Sequence, residues 1–172
     1  MAVAVRQLGD RGRVVLWLAM LATVGVCAAG SYEHVVIVPV WAAAPPDSII
    51  MFHGPHAIDT GRWWRVVHVP TFLLSVAAFV LLRGHPRRRL VGAGALAYAL
   101  VLSLTGAWLL PELLALTSDP AALIPPREWR ARARYWELAS LARLALMYVN
   151  AGLLAWAASA PGGAQSGRAL RG

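Results

Sequence analysis

Several ionisable side chains lie inside long apolar segments of this sequence, where they are costly and therefore mark function more often than elsewhere. Those that could perform acid–base or electrostatic chemistry are His68, His34, Arg143, Glu33 and Glu112. An imidazole titrates near neutrality and suits a general base. A guanidinium keeps its charge and suits the stabilisation of a developing anion. We therefore take these five as candidate catalytic residues.

Residues three, four or seven positions apart share a helix face, so polar residues at these spacings form a stripe along one side of a helix. Such stripes are Thr23, Cys27 and His34; His68, Thr71 and Ser75; Tyr98, Thr105 and Glu112; and Trp136, Ser140, Arg143, Met147 and Asn150. Four polar stripes cannot all face lipid, so they predict a polar pocket in the outer half of a bundle. The candidate substrate-binding residues are Trp108, Trp136, Ser140, Asn150, Thr105 and Tyr98.

The same residues also have a purely structural interpretation. Buried hydroxyl, amide and imidazole groups commonly join transmembrane helices by hydrogen bonds. Arg143 could be neutralised by Glu33, Glu112 or Glu137 in a buried ion pair without any catalytic role. The sequence leaves both interpretations open.

The elements that must position these residues are four apolar segments, approximately residues 14–38, 63–82, 90–110 and 136–158. A helix needs about 20 mostly apolar residues to cross a bilayer, and the whole chain is 59% hydrophobic and 14% charged. We predict an all-α fold, a polytopic membrane protein with a four-helix transmembrane bundle, as a single domain over residues 1–160. Residues 161–172 are expected to form a disordered cytoplasmic tail.

The chain carries a formal charge of +8, and its 16 cationic residues are all arginines. They lie between the apolar segments rather than along one face, which argues against nucleic-acid binding. Nine arginines lie in the N-terminal flank, in the connection at residues 83–89 and in the tail, against six in the two other connections, four of them at residues 127–134. The positive-inside rule therefore predicts a multi-pass cell-membrane protein with both termini cytoplasmic. In an alternative interpretation the first segment is a cleaved signal peptide, but its apolar character continues past any such site.

Metal and cofactor motifs are weak in this sequence. Cys27 is its single cysteine, and the pair His53 and His56 lies on a Gly-Pro loop without a recognised ligand spacing. We predict no metal and no other cofactor.

Part of the chain, from about Gly30 to Trp156, resembles the anthrone-oxygenase-like family of small four-helix membrane proteins. The resemblance rests on Gly30 with Pro39, the spacing of six from Thr105 to Pro111, an outer loop before the fourth segment, and Trp136 with Arg143. It implies a cofactor-independent monooxygenase that acts on an activated aromatic molecule. His68 or His34 would then be the base and Arg143 the electrostatic stabiliser, with tryptophans forming the walls of a flat pocket.

The expected partners are the lipid bilayer and a small hydrophobic or aromatic molecule, and the sequence is compatible with a homo-oligomer. The competing function is a non-enzymatic accessory or interaction protein whose buried polar residues fix helix packing. A transporter is less favoured, because the chain lacks the paired broken helices of that class.

Overall fold

The computed structural model describes residues 2–118 and 124–159, with side chains from residue 10 onward. All regular structure in this part of the chain is helical, which confirms the predicted all-α fold. The predicted tail, residues 161–172, lies outside the described residues. Four helices are long and apolar enough to cross a membrane.

Each span has defined bounds. The first consists of α1 (Ala2–Tyr32), a π-helical turn (Glu33–Ile37) and α2 (Val38–Ala42), and a 3₁₀ helix (Asp47–Phe52) follows. The second is α3 (Thr60–Leu81). The third consists of α4 (Arg88–Leu104), a second π-helical turn (Thr105–Leu109) and α5 (Leu110–Thr117). The fourth is α6 (Pro126–Ala158), one unbroken helix.

The first, third and fourth helices extend beyond the predicted apolar segments. The first and third were expected to end near Pro39 and Pro111, yet both helices continue past these prolines to Ala42 and Thr117. Proline removes one helical N–H, and its ring crowds the carbonyl four residues earlier. A π turn before each proline relieves this conflict. The N–H of Val38 bonds to the carbonyl of Glu33, and that of Leu110 to Thr105, five residues back in each case.

The four helices enclose three apolar layers. At the end where α1 begins and α6 ends, here called the terminal end, the layer consists of Leu16, Ala78, Leu82, Val91, Leu154 and Ala157. The middle layer consists of Val26, Cys27, Tyr98, Val101, Met147 and Ala151. At the opposite end, the loop end, the layer consists of Val38, Trp41, Ile49, Leu109, Leu116, Trp129, Ala133 and Trp136. Ile49 belongs to the 3₁₀ helix, which therefore covers the loop end.

The outer surface of the bundle is apolar, as contact with lipid requires. Large hydrophobic side chains are exposed along all four spans, among them Leu21, Val66, Leu73, Leu96, Leu100 and Leu146. Such an extensive exposed apolar surface is incompatible with a water-facing monomer and fits contact with lipid.

Candidate functional site

Between the middle layer and the loop-end layer lies a group of polar and aromatic side chains from all four spans. We call it the polar cluster, and its members are Glu33, His34, Trp64, His68, Tyr98, Thr105, Ser140 and Arg143. Seven of the eight, all except Trp64, are among the candidates that the sequence predicted.

Arg143 joins the third and fourth spans to the first. Its Nη2 donates to Ser140 Oγ at 3.0 Å, and its Nη1 donates to Thr105 Oγ1 at 3.4 Å. Ser140 Oγ also lies 3.2 Å from His34 Nε2. A single serine hydroxyl therefore connects the guanidinium to the imidazole.

Ser140 meets His34 through one ring nitrogen of the imidazole. Ser140 Oγ accepts from Arg143, and it either donates its own proton to His34 Nε2 or accepts a second hydrogen bond from it, because a hydroxyl has one proton and two lone pairs. His34 Nδ1 is buried and has no hydrogen-bond partner in the described structure. The cluster thus holds a buried ring nitrogen whose hydrogen bond is not made within the described residues.

His68 lies on the other side of the cluster. Its Nδ1 is 2.8 Å from the hydroxyl of Tyr98, and its ring stacks on Trp64 with centroids 5.2 Å apart. Trp64 Nε1 donates to Glu33 Oε1 at 3.3 Å. Phe72 stacks on Tyr98 at 6.0 Å. These contacts fix the imidazole between aromatic rings and leave its Nε2 without a bond to any described residue.

Glu33 and His34 face the bundle interior together, although they are adjacent in sequence. Their exposed fractions are 8% and 9%. Both lie in the π-helical turn, which is wider than an α-helical turn and so reduces the angle between adjacent side chains. Glu33 is therefore an interior residue.

No carboxylate of the described residues makes a direct ion pair with Arg143, although its charge interacts with that of Glu33. Arg132 behaves differently. It binds Glu112 with two hydrogen bonds, Nε to Oε1 at 2.8 Å and Nη2 to Oε2 at 2.9 Å. Glu112 is thereby held by α6 outside the polar cluster, so the structure does not bring this candidate to the others.

The remaining candidates also lie apart from the cluster or at its edge. Trp136 closes the loop-end side, where its ring lies 6.3 Å from His34 and its Nε1 donates to the carbonyl of Leu109 at 2.8 Å. Trp108 packs edge-to-face on Tyr135. Asn150 is buried against Gly94, toward the terminal end, and neither amide atom has a partner among the described residues.

Among residues 2–118 and 124–159, no three His, Cys, Asp or Glu side chains come together in a way that could hold a metal ion. Comparison of the chain with known proteins finds no matching family model, no similar curated protein and no similar solved structure.

Sequence reasoning missed the role of two aromatic residues in the site, Trp64 and Phe72. Both could have been found, since Trp64 precedes His68 by four residues and Phe72 follows it by four. Residues at this spacing lie on one helix face, so an aromatic on each side of a buried histidine indicates a wall around it.

Proposed function

We propose that the polar cluster binds a small hydrophobic molecule with an acidic C–H or phenolic group and removes its proton, as a membrane-embedded, cofactor-independent oxygenase acting on an anthrone-like substrate. The observation that carries this proposal is Arg143. Its buried cation bonds to two neutral hydroxyls and faces Glu33, His34 and His68 without a direct carboxylate partner.

A purely structural arginine in this position should have a matched acidic partner, because an unpaired buried charge is destabilising. The chain contains such a pair in Arg132 and Glu112, which meet through two short hydrogen bonds. Arg143 has hydrogen-bond donors left over, and in the tautomer that carries its proton on Nδ1, His34 adds a buried donor near it. Convergent donors of this kind favour an oxyanion ligand such as an enolate or phenolate.

His68 is the base in this proposal. In the tautomer whose Nδ1–H donates to the Tyr98 oxygen, Nε2 carries a lone pair and bonds to no described residue. That nitrogen can take a proton from the substrate. Arg143 stabilises the resulting negative oxygen, while Trp64, Phe72 and Trp136 supply flat apolar surfaces for an aromatic ring.

Oxygenation then proceeds without a cofactor. The C–H proton passes to His68, and the carbanion adds to molecular oxygen, which forms a C–O bond and reduces the oxygen to a peroxide. The hydroperoxide loses its second C–H proton as its O–O bond breaks, so that water leaves and a carbonyl remains. One anthrone and one O₂ thus give one quinone and one water.

The second candidate function is that of a non-enzymatic membrane partner. It is favoured by the many hydroxyls that bond within the protein. Thr23, Thr71, Ser75 and Thr105 all donate to the carbonyl four residues earlier in their own helices. Ser31 also bonds to Tyr148 across two spans at 2.8 Å. In this function the polar cluster serves only to fix the packing of the helices.

Oxygen consumption by the purified protein in lipid nanodiscs, with an anthrone as substrate, separates the two functions. We expect Arg143→Met to lower the rate roughly 100-fold or more, the loss typical when an oxyanion-stabilising donor is removed, without unfolding the bundle. Glu112→Gln is the matched control, because it removes a partly exposed, ion-paired charge outside the cluster, and it should retain the rate.

Two outcomes contradict the oxygenase. One is full turnover by a His34→Ala, His68→Ala double variant. The other combines two results: the wild-type protein consumes no oxygen when anthrone is added, and the Arg143→Met variant loses only stability in detergent. That outcome supports the packing function instead.

We also propose that the terminal end faces the cytoplasm, as the distribution of arginines favours. Cys27 is buried, so cysteines introduced at Arg83 and at His56 can be labelled selectively in intact cells. Labelling of the His56 position from outside, with protection of the Arg83 position, is expected; the reverse pattern contradicts this orientation.

A further inference from the structure

Two adjacent arginines, at the end of the short connection between α3 and α4 and at the first position of α4, are fixed on the ends of two other helices. Arg87 donates to the carbonyl of Trp156 and, at 3.1 Å, to Ser159 Oγ, and its guanidinium lies 5.0 Å from the Trp156 ring centroid. Arg88 Nε donates to the carbonyl of Phe79 at 2.9 Å, and its guanidinium lies 4.1 Å from the centre of that ring. Both cations therefore occupy the negative ends of helix dipoles.

Further positive charge gathers at the same end. Arg13 of α1 lies close enough to His85 for its charge, together with that of Arg87, to act on that imidazole. Arg83 in the connection and Arg89 in the first turn of α4 are exposed. Three elements of the fold, α1, the connection and the start of α4, thus bring arginines to one surface.

This surface is not neutralised by the part of the protein that the structure describes. Asp10 is the acidic residue that the described side chains place at the terminal end, and it makes no ion pair with any of these arginines. The bonds of Arg87 and Arg88 are to neutral oxygen atoms. The positive charge of the whole set is therefore available to an external anion.

The position of the set along the helices indicates which anion. Arg13 is followed at once by Val14, which is 59% exposed, and Val80 and Trp156 are also exposed beside the connection. The arginines thus lie where the apolar, lipid-facing surface begins, which is the level of lipid headgroups.

We infer that the arginines of the terminal end, Arg13, Arg83, Arg87, Arg88 and Arg89, form a binding surface for the phosphate headgroups of anionic phospholipids in the surrounding bilayer. The two arginines fixed on helix ends lose little conformational freedom on binding, and the exposed ones supply adaptable contacts. This surface is separate from the polar cluster and does not depend on the function proposed for it.

The test compares lipid retention by native mass spectrometry of the full chain, released from nanodiscs that contain equal amounts of phosphatidylglycerol and phosphatidylcholine. We expect wild type to retain phosphatidylglycerol preferentially. Neutralising the exposed arginines in an Arg13→Gln, Arg83→Gln, Arg89→Gln variant should reduce that preference at least about 10-fold, since each basic residue near an anionic surface contributes about 5-fold to binding. These three side chains make no hydrogen bond within the described protein, so the variant should fold.

The matched control neutralises three arginines at the loop end instead of the terminal end. Arg127, Arg130 and Arg134 are exposed at the start of α6, and an Arg127→Gln, Arg130→Gln, Arg134→Gln variant should retain the wild-type preference. The inference is overturned if wild type retains both lipids equally. It is also overturned if the preference for phosphatidylglycerol falls by the same factor in both triple variants. It is also overturned if inorganic phosphate or a short oligonucleotide displaces the lipid at millimolar concentration in 150 mM salt, because the surface then binds phosphate without regard to the bilayer.

Discussion

Glu33 and His34 are neighbours in the sequence, and both turn into the bundle, where Glu33 accepts a hydrogen bond from Trp64 and His34 meets the hydroxyl of Ser140. One π-helical turn of the first span thus contacts the second span on one side and the fourth span on the other. The turn reduces the angle between these side chains below the value of about 100° in a regular α-helix, and both belong to the polar cluster.

Ser140→Ala should uncouple His34 from Arg143 and lower anthrone turnover by roughly 10-fold, because both groups lose the hydroxyl that orients them. Ser75→Ala is the matched control. Ser75 is equally buried, but its hydroxyl donates to the Thr71 carbonyl of its own helix. Steady-state rates of the two variants in nanodiscs check this prediction, and equal rates would count against a catalytic role for the Ser140 contacts.

Pro111→Ala should permit a regular α-helix at the end of the third span and thereby remove the reason for the π turn at Thr105–Leu109. The Leu109 carbonyl, which accepts from Trp136 Nε1 at the edge of the polar cluster, would then rotate relative to Thr105 and Arg143. We expect unchanged or higher thermal stability together with weaker quenching of tryptophan fluorescence by an anthrone. Pro70→Ala, at a proline inside α3 without a π turn, is the control and should leave ligand affinity unchanged.

Arg87→Ala and Arg88→Ala should each destabilise the bundle by about 1–3 kcal/mol, because each removes charge-assisted hydrogen bonding to a helix-end carbonyl and a cation–π contact. Arg83→Ala changes an exposed arginine without such bonds and should cost less than about 0.5 kcal/mol. Denaturant titration in mixed micelles, followed by circular dichroism, measures these free energies of unfolding. Equal effects at all three positions would contradict the fixed placement of Arg87 and Arg88.

Asn150 and Gly94 provide a test of packing. A Cβ atom at residue 94 would collide with Asn150 Oδ1, so Gly94→Ala should destabilise the bundle by about 1–3 kcal/mol.

Asn150→Leu removes an amide that is 2% exposed and has no described partner, and it should be neutral or stabilising by about 1 kcal/mol. Gly152→Ala, where the added methyl meets open space, is the control. A marked loss of ligand affinity in Asn150→Leu would restore this residue to the substrate site.

His85 should titrate below the ordinary histidine range. Burial first, and then the charges of Arg13 and Arg87, lower the pKa of His85 from its usual value of 6.5. Its Nδ1 accepts the backbone N–H of Arg87 at 3.2 Å, which also favours the neutral ring. The unfolded chain binds this proton more readily, so the stability contributed by neutral His85 is present above pH 6.5 and is lost as the pH falls below it. NMR titration of labelled histidines should show that Arg13→Gln raises the pKa of His85; no change in that variant would contradict the proximity of Arg13.

Sequence spacing predicted the positions of most cluster residues but failed for Glu112. His34, His68, Tyr98, Thr105, Ser140 and Arg143 were placed on common faces by spacing alone, and they do meet. The same arithmetic failed for Glu112, seven residues after Thr105. The π turn at Thr105–Leu109 inserts one residue into the helix and rotates everything after it, so Glu112 reaches Arg132 instead.

The sequence by itself determined the four apolar helices, the absence of strands from the described chain and the presence of costly ionisable groups at membrane depth, because these follow from the length and composition of each segment. Tertiary structure decided which polar groups meet. Helix register and the two π turns depend on packing against neighbouring spans. That packing alone turns Glu33 inward and joins Ser140 to both Arg143 and His34. It also fixes Arg87 and Arg88 on the ends of helices to which they do not belong.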